Sequence, residues 1–200
     1  MIFALVRGEL EQRGFTVSEF ETAAEAAEYL DGAIDGKTVG FGGSMTLTEM
    51  GLQEKLEKHN EVFWHWHPKE GSTAAETLAA AAQAEVYLTS VNGIAETGEI
   101  INIDGTGNRV ASMLYGHKKV YFVVGVNKIA PDYESALHRA RNIAAPKNAQ
   151  RLKRNTPCVL GERCFDCSSP DRICRGLAVL WQKMGSAEME VVLINESLGY

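Results

Sequence analysis

The amino-acid sequence predicts an α/β protein with a mainly parallel sheet and helices on both faces of that sheet. One observation supports this fold class and a second supports a packed core. Short apolar segments alternate along most of the chain with segments of helical character, which is the order typical of parallel sheets. The chain has 200 residues, of which 45% are hydrophobic, so it can bury a core without disulfides. We expect a single domain over residues 1–200, with a cysteine-rich appendage at 156–175.

The strands are predicted from short apolar runs that are bounded by turn residues. The strongest run is VYFVVGV, near the end of the central third of the chain. Residues 91–108 are expected to form loops rich in Gly, Asn, Asp and Thr around an apolar patch, IINI. The predicted strands are 16–20, 37–41, 62–66, 86–90, 119–126 and 189–194.

The helices are predicted where apolar residues recur every three or four positions or where alanine dominates. Thr22 and Glu25 form the pattern of a capping box at the start of one Ala-rich helix. Ser72 or Thr73 can cap another. The predicted helices are 2–13, 23–30, 46–59, 72–83, 131–145 and a short one at 178–183, and 110–114 is predicted to be a short helix or turn.

Composition and charge argue against several classes of function. Lys and Arg number 20 against 26 Asp and Glu, a net charge of -6, so a nucleic-acid partner is not expected. The longest apolar runs fall far short of the roughly 20 residues of a membrane helix, and the N-terminal sequence does not resemble a signal peptide. Walker A and dinucleotide-binding patterns are absent. We therefore expect a cytoplasmic protein without a nucleotide cofactor or a membrane partner, and one that can form a homo-oligomer.

Three loops that follow predicted strands are rich in small and polar residues. The carboxyl ends of parallel strands are where such sheets bind ligands, and glycines let the backbone approach an anion. We expect these loops to line one crevice for a small anionic metabolite, in which Glu96 or Asp104 acts as a base. The predicted ligand-binding residues are Gly42, Gly43, Ser44, Met45, Thr46, Asn92, Thr97, Asn108, Arg109, Asn127 and Lys128.

The same loops also have a purely structural interpretation. Their glycines and Asx residues are typical of ordinary turns, and in 92–109 two such turns can flank a hairpin. Asp104 and Arg109 are opposite charges that can pair and hold their own loop. The substitution Asp104→Asn separates the two interpretations. It abolishes ligand binding in one case and lowers thermal stability in the other.

The four cysteines, which all lie within 17 residues near the end of the chain, predict a metal site. A C-x2-C pair and two flanking thiols make a four-thiolate set suited to zinc or to a [4Fe–4S] cluster. The spacing does not distinguish between these metals, and reduced thiols or two disulfides are the alternative. The predicted ligands are Cys158, Cys164, Cys167 and Cys174. His65 and His67 are predicted to share one face of a half-exposed strand rather than to bind metal.

Several motifs resemble the LUD-domain family, the lactate-utilisation proteins of the LutC/YkgG type. The motifs are GFGGSMTLTEMGL (40–52), TSVNGIAETGEIINIDGTGNR (89–109) and VVGVNKI (123–129). Residues 156–174 and 193–200 also resemble a cysteine-bearing branch of that family. The resemblance extends from about residue 37 to the end of the sequence.

The resemblance implies a NagB/RpiA/CoA-transferase-like fold, in which 42–46 would hold a phosphate and Glu96 or Asp104 would carry out the chemistry. It also implies an accessory component of L-lactate oxidation to pyruvate, working beside iron–sulfur subunits. Two alternatives stay open. One is a stand-alone isomerase-like or transferase-like enzyme for a phosphorylated or carboxylated metabolite, and the other is a non-catalytic assembly module with structural zinc.

Overall fold

A computed structural model describes residues 2–200, which contain a six-stranded parallel sheet. Each strand pairs in parallel with its neighbours. In spatial order the strands are β1 (Thr16–Phe20), β10 (Glu188–Ile194), β7 (Lys119–Gly125), β4 (Val86–Thr89), β2 (Thr38–Phe41) and β3 (Glu61–Trp64). The predicted fold class is thereby confirmed.

Helices cover both faces of this sheet, and apolar side chains are buried on both sides of the central strand. Along β7, Val120, Phe122 and Val124 face one buried cluster, while Tyr121 and Val123 face the other. The helices are α1 (Ala4–Gln12), α2 (Ala23–Ala33), α3 (Met45–Glu49), α4 (Leu52–Leu56), α5 (Ala74–Ala81), α6 (Asn108–Leu114), α7 (Tyr133–Arg139), α8 (Ala145–Arg151) and α9 (Pro157–Gly161).

Local signals locate two of the helix starts correctly. The side chain of Thr22 accepts a hydrogen bond from the backbone of Glu25, whose carboxylate accepts one in return, which completes the predicted capping box of α2. Thr73 and Glu76 form the same motif at the start of α5. Such reciprocal bonds satisfy backbone N–H groups that have no partner within the helix.

A second, four-stranded sheet was not predicted. Its strands are β8 (Ile129–Ala130), β5 (Gly93–Ala95), β6 (Ile100–Asp104) and β9 (Gly176–Leu180), in that spatial order. The hairpin of the structural interpretation is present within 91–108, because β5 and β6 form an antiparallel pair there. The helix predicted at 178–183 is wrong. Pairing with β6 makes its first half a strand, and a short apolar run does not by itself reveal such a partner.

Three predicted boundaries also differ. The helix predicted over 46–59 is interrupted at Gly51, whose φ of 60° is left-handed, so α3 and α4 are separate. The strand predicted over 62–66 ends at Trp64, so His65 and His67 lie in the following turn rather than on one strand face. The helix predicted over 131–145 continues to Arg151 through a π-helical turn at Ala140–Ala144. No helix among residues 2–200 combines the length and the apolarity that a membrane span requires.

Candidate functional site

A cavity of about 610 Å³ lies at the carboxyl ends of β2, β3, β4 and β7. Ser44, Trp66, Asn92 and Lys128, each from the segment that follows one of these strands, contribute to its lining. Strand β6, helices α6 and α8, the segment 170–175 and Tyr200 also contribute to the wall. Parallel topology thus brings the polar loops together at one edge of the sheet.

Lys128 is a buried cation with two hydroxyl partners. The residue is only 3% exposed. Its Nζ donates hydrogen bonds to Thr46 Oγ1 at 2.7 Å and to Ser90 Oγ at 2.8 Å. Burial lowers the pKa of Lys128 from 10.5 to about 7, and the positive charges of Arg139 and Arg109 act in the same direction. A substantial fraction of the Lys128 side chain is therefore uncharged near neutral pH.

The guanidinium of Arg109, on α6, bonds only to neutral oxygen atoms. It donates to the main-chain oxygens of Ser90 (3.3 Å) and Ile103 (2.6 Å). It also donates to the side-chain oxygens of Asn92 (3.1 Å) and Asn102. Burial lowers the pKa of Arg109, against the opposing effect of the Asp104 charge. The guanidinium group of Arg109 therefore forms no hydrogen bond with a carboxylate.

Asp104 organises the start of α6. Its carboxylate accepts hydrogen bonds from the backbone N–H groups of Thr106, Gly107, Arg109 and Val110, at 3.0–3.1 Å. Asp104 and Arg109 therefore meet through the main chain of Arg109 and not through the side-chain ion pair considered from the sequence. Four such bonds give Asp104 a capping role at an edge of the cavity.

A second buried cation, Arg139, lies close by. Arg139 on α7 is 8% exposed and donates to the main-chain oxygens of Asn127 at 2.8 Å and Asn92 at 2.6 Å. Burial lowers its pKa to about 10. Arg139 holds the two loops that carry Asn92 and Lys128, and its charge adds to the positive potential around them.

The wall of the cavity carries more positive than negative side chains. The acidic ones are Asp104 and Asp171, and the basic ones are Arg109, Lys128, Arg151, Arg154, Arg172 and Arg175. Guanidinium groups suit the planar, bidentate recognition of carboxylates and phosphates. The cavity can therefore attract and bind a small anion.

An aromatic wall, which sequence reasoning missed, faces the Gly43 loop. Trp66 stacks on Trp64 with ring centres 5.5 Å apart, and the guanidinium of Arg151 lies 4.5 Å from the Trp66 ring. Arg151 Nε also donates to Tyr200 Oη at 2.8 Å. A Cβ atom at Gly43 would lie 2.9 Å from Trp66, so this glycine is required by a close approach. Nothing local in the sequence indicated that Trp66, Arg151 and Tyr200 would meet.

The predicted site residues fall into two groups. Those that line the cavity are Gly43, Ser44, Met45, Asn92, Asp104, Asn108, Arg109 and Lys128. Those outside its lining are Gly42, Thr46, Glu96, Thr97 and Asn127.

Most of the second group supports the cavity from behind. Thr46 bonds to Lys128, Gly42 packs closely against Thr89 and Arg109, and Asn127 accepts a bond from the main chain of Leu198 at 3.1 Å. Glu96 and Thr97 lie instead at the turn between β5 and β6. Because β5 runs away from the cavity and pairs with β6, the expectation that these two residues line the crevice is not met.

The four cysteines do not converge. Cys158 lies on α9, with its sulfur 3.2 Å from Thr156 Oγ1. Cys164 accepts bonds from the backbone N–H of Asp166 and from Arg141, and it shares with Cys174 a smaller cavity of about 280 Å³. Within residues 2–200, no three His, Cys, Asp or Glu side chains are grouped so that they could hold a metal ion. The described thiols thus do not form the set of four converging thiolates that zinc or a [4Fe–4S] cluster needs.

Comparisons with known proteins agree with the motifs. The family model described as the LUD domain matches residues 4–194. A crystal structure of a DUF162 family protein from Deinococcus radiodurans is similar in fold, with a TM-score of 0.56 and 15% sequence identity over 96% of each chain. No curated protein matches the sequence.

Proposed function

The chain belongs to the LUD-domain family, and from this premise we propose that it binds a small anionic metabolite as an accessory component of L-lactate oxidation to pyruvate. The single observation that carries anion binding is the pair of guanidinium groups of Arg109, which lines the cavity, and Arg139, which lies outside its lining. Each of the two bonds only to neutral oxygen atoms. Buried charge without a counter-charge is costly, and a bound anion offsets that cost.

The size of the cavity favours a second candidate function. About 610 Å³ falls within the range of sites for drug-sized ligands, which is more room than lactate or pyruvate fills. A phosphorylated metabolite would use more of this space and more of the arginines. The second candidate is thus a stand-alone enzyme of isomerase or transferase type for such a compound.

In the first candidate, we assign the redox centres to iron–sulfur partner subunits in the cytoplasm. The arrangement of the thiols supports this assignment, because Cys158, Cys164, Cys167 and Cys174 do not form a shared site among the described residues. This chain would then supply the binding site for the organic acid. A four-cysteine metal site remains a separate prediction that metal and sulfide analysis of anaerobically prepared protein can test.

Thermal denaturation with added ligands tests the proposal. L-Lactate, pyruvate and inorganic phosphate are compared with glycerol, which is neutral. A ligand at a hundred times its Kd adds about 2.7 kcal/mol to the free energy of unfolding, so an anion that binds raises the Tm by about 5–10 °C. A larger shift with phosphate than with lactate favours the second candidate.

A matched pair of variants locates the binding. Arg154→Gln removes an exposed cation of the cavity wall and is expected to weaken anion binding about tenfold, which corresponds to about 1.4 kcal/mol. Arg163→Gln removes an exposed cation that lies outside the lining of the cavity and stacks on Phe165, and it is expected to have no effect. Equal weakening in both variants, or no anion that stabilises more than glycerol, contradicts the proposal.

A further inference from the structure

We propose, building on the proposed anion site, that Lys128 forms a Schiff base with a small anionic carbonyl compound, either a 2-oxo acid or a phosphorylated ketone. Lys128 lines the cavity and is connected to its surroundings through hydroxyl groups rather than carboxylates. A lysine that is desolvated or next to another cation is the type that enzymes use as an amine nucleophile.

The hydrogen-bond network accommodates a neutral amine better than an ammonium group. Ser90 donates its own hydroxyl hydrogen to Val123 O at 2.6 Å, and Thr46 donates its hydrogen to Leu198 O at 3.2 Å. Both hydroxyls therefore act as acceptors towards Lys128. They satisfy two N–H groups, which is the number that a neutral amine has, whereas an ammonium group has three. The lone pair of the amine is then free to attack a carbonyl carbon.

The charged groups around Lys128 favour the same protonation state. Arg139 faces it from α7 and Arg109 from α6, and both lower the pKa of Lys128. Glu49 on α3 acts in the opposite direction. Burial is the largest contribution, and together these effects bring the pKa to about 7. The nucleophilic form is thus populated at neutral pH without a neighbouring base.

The proposed step is balanced without any oxidant or cofactor. The Nζ lone pair forms a bond to the carbonyl carbon, and the π electrons of the carbonyl move to its oxygen. That oxygen takes up two protons that originate on Nζ, with the adjacent Ser90 hydroxyl as a relay, and leaves as water. The product is a C=N bond between Lys128 and the substrate. The arginines of the wall hold the anionic end of the substrate during this step.

Borohydride trapping on the unmodified protein tests the proposal and does not depend on a variant that folds. The protein is incubated with pyruvate, glyoxylate or dihydroxyacetone phosphate, reduced, digested and mapped by mass spectrometry. The expected pyruvate adduct has the mass of pyruvic acid plus two hydrogens minus one water, and it lies on Lys128. L-Lactate, which lacks a carbonyl group, should produce no adduct.

Lys147, an exposed lysine on α8, is the internal control. About half of an amine with a pKa near 7 is neutral at neutral pH, against well under 1% of an ordinary lysine. Labelling of Lys128 is therefore expected to exceed that of Lys147 at least about tenfold. Equal labelling of the two lysines, or no adduct on Lys128 with any of the three carbonyl compounds, overturns the proposal.

Two results separate this inference from the proposed function. Anion-induced stabilisation without an adduct on Lys128 overturns the Schiff base and leaves anion binding intact. Trapping of uncharged hydroxyacetone on Lys128 as readily as pyruvate supports the Schiff base and contradicts anion recognition.

Discussion

Replacement of Lys128 by methionine should remove a large part of the pH dependence of stability. The pKa of Lys128 is about 7 in the folded protein against 10.5 ordinarily. Between these values the unfolded chain binds more protons than the folded protein, so the free energy of unfolding rises with pH. Burial of the charged lysine destabilises the fold fully below about pH 7, and this destabilisation disappears progressively towards pH 10.5.

The size of the effect follows from that shift. Each pH unit in this window is worth about 1.4 kcal/mol, so wild type should gain about 2 kcal/mol between about pH 7 and about pH 8.5 relative to Lys128→Met. Methionine is similar in length and apolar. After the substitution, Ser90 still donates to Val123 O and Thr46 to Leu198 O, so neither hydroxyl loses its acceptor.

Urea denaturation at several pH values, followed by circular dichroism, measures this difference. Lys147→Met, at an exposed position of α8, is the matched control and should follow wild type at every pH. If the curve for Lys128→Met runs parallel to the curves for wild type and Lys147→Met, Lys128 has an ordinary pKa and the reasoning fails.

Three other substitutions test the remaining parts of the site. Asp104→Asn weakens the four-bond cap of α6 and should lower the free energy of unfolding by about 1–2 kcal/mol; an unchanged Tm with loss of anion binding would indicate a ligand contact instead. Gly43→Ala places a Cβ 2.9 Å from Trp66. It should alter tryptophan fluorescence and weaken anion binding, which calorimetry measures. Gly185→Ala adds a Cβ in open space and should change neither property. Cys158→Ser should change the free energy of unfolding by less than about 0.5 kcal/mol, since Cys158 belongs to no metal-binding group among the described residues. A loss of several kcal/mol together with bound zinc or iron would contradict this arrangement.

Local patterns in the sequence were sufficient for most of the large sheet. The apolar run of β7 predicts a buried strand because both faces of a parallel sheet are covered, and Thr22 with Glu25 predicts a helix start because both partners of the cap lie within one turn. The hairpin of β5 and β6 was one interpretation of the sequence, whereas β9 escaped prediction because its partner β6 is far away in the sequence. The pair Ile101 and Val179 illustrates this distance.

Some residues of the candidate site could likewise be predicted from the sequence and others could not. The sequence predicts the order of the strands and their parallel topology. From these two properties it follows that Ser44, Asn92 and Lys128 approach one another. The contribution of Trp66 and Arg151 does not follow, because their contact joins a turn after β3 to a helix that precedes the cysteine-rich segment.

The α/β class, the family motifs and the edge of the sheet where polar residues collect could all be inferred from the amino-acid sequence. These properties depend on periodicity, composition and chain order, which are local. Three features became apparent only from the three-dimensional fold. Asp104 caps a helix, no three cysteines of the described residues form a metal-binding group, and Lys128 is buried among hydroxyls and guanidinium groups. A pKa depends on desolvation and on charges in space, and the partner Thr46 of Lys128 lies 82 positions away in the chain.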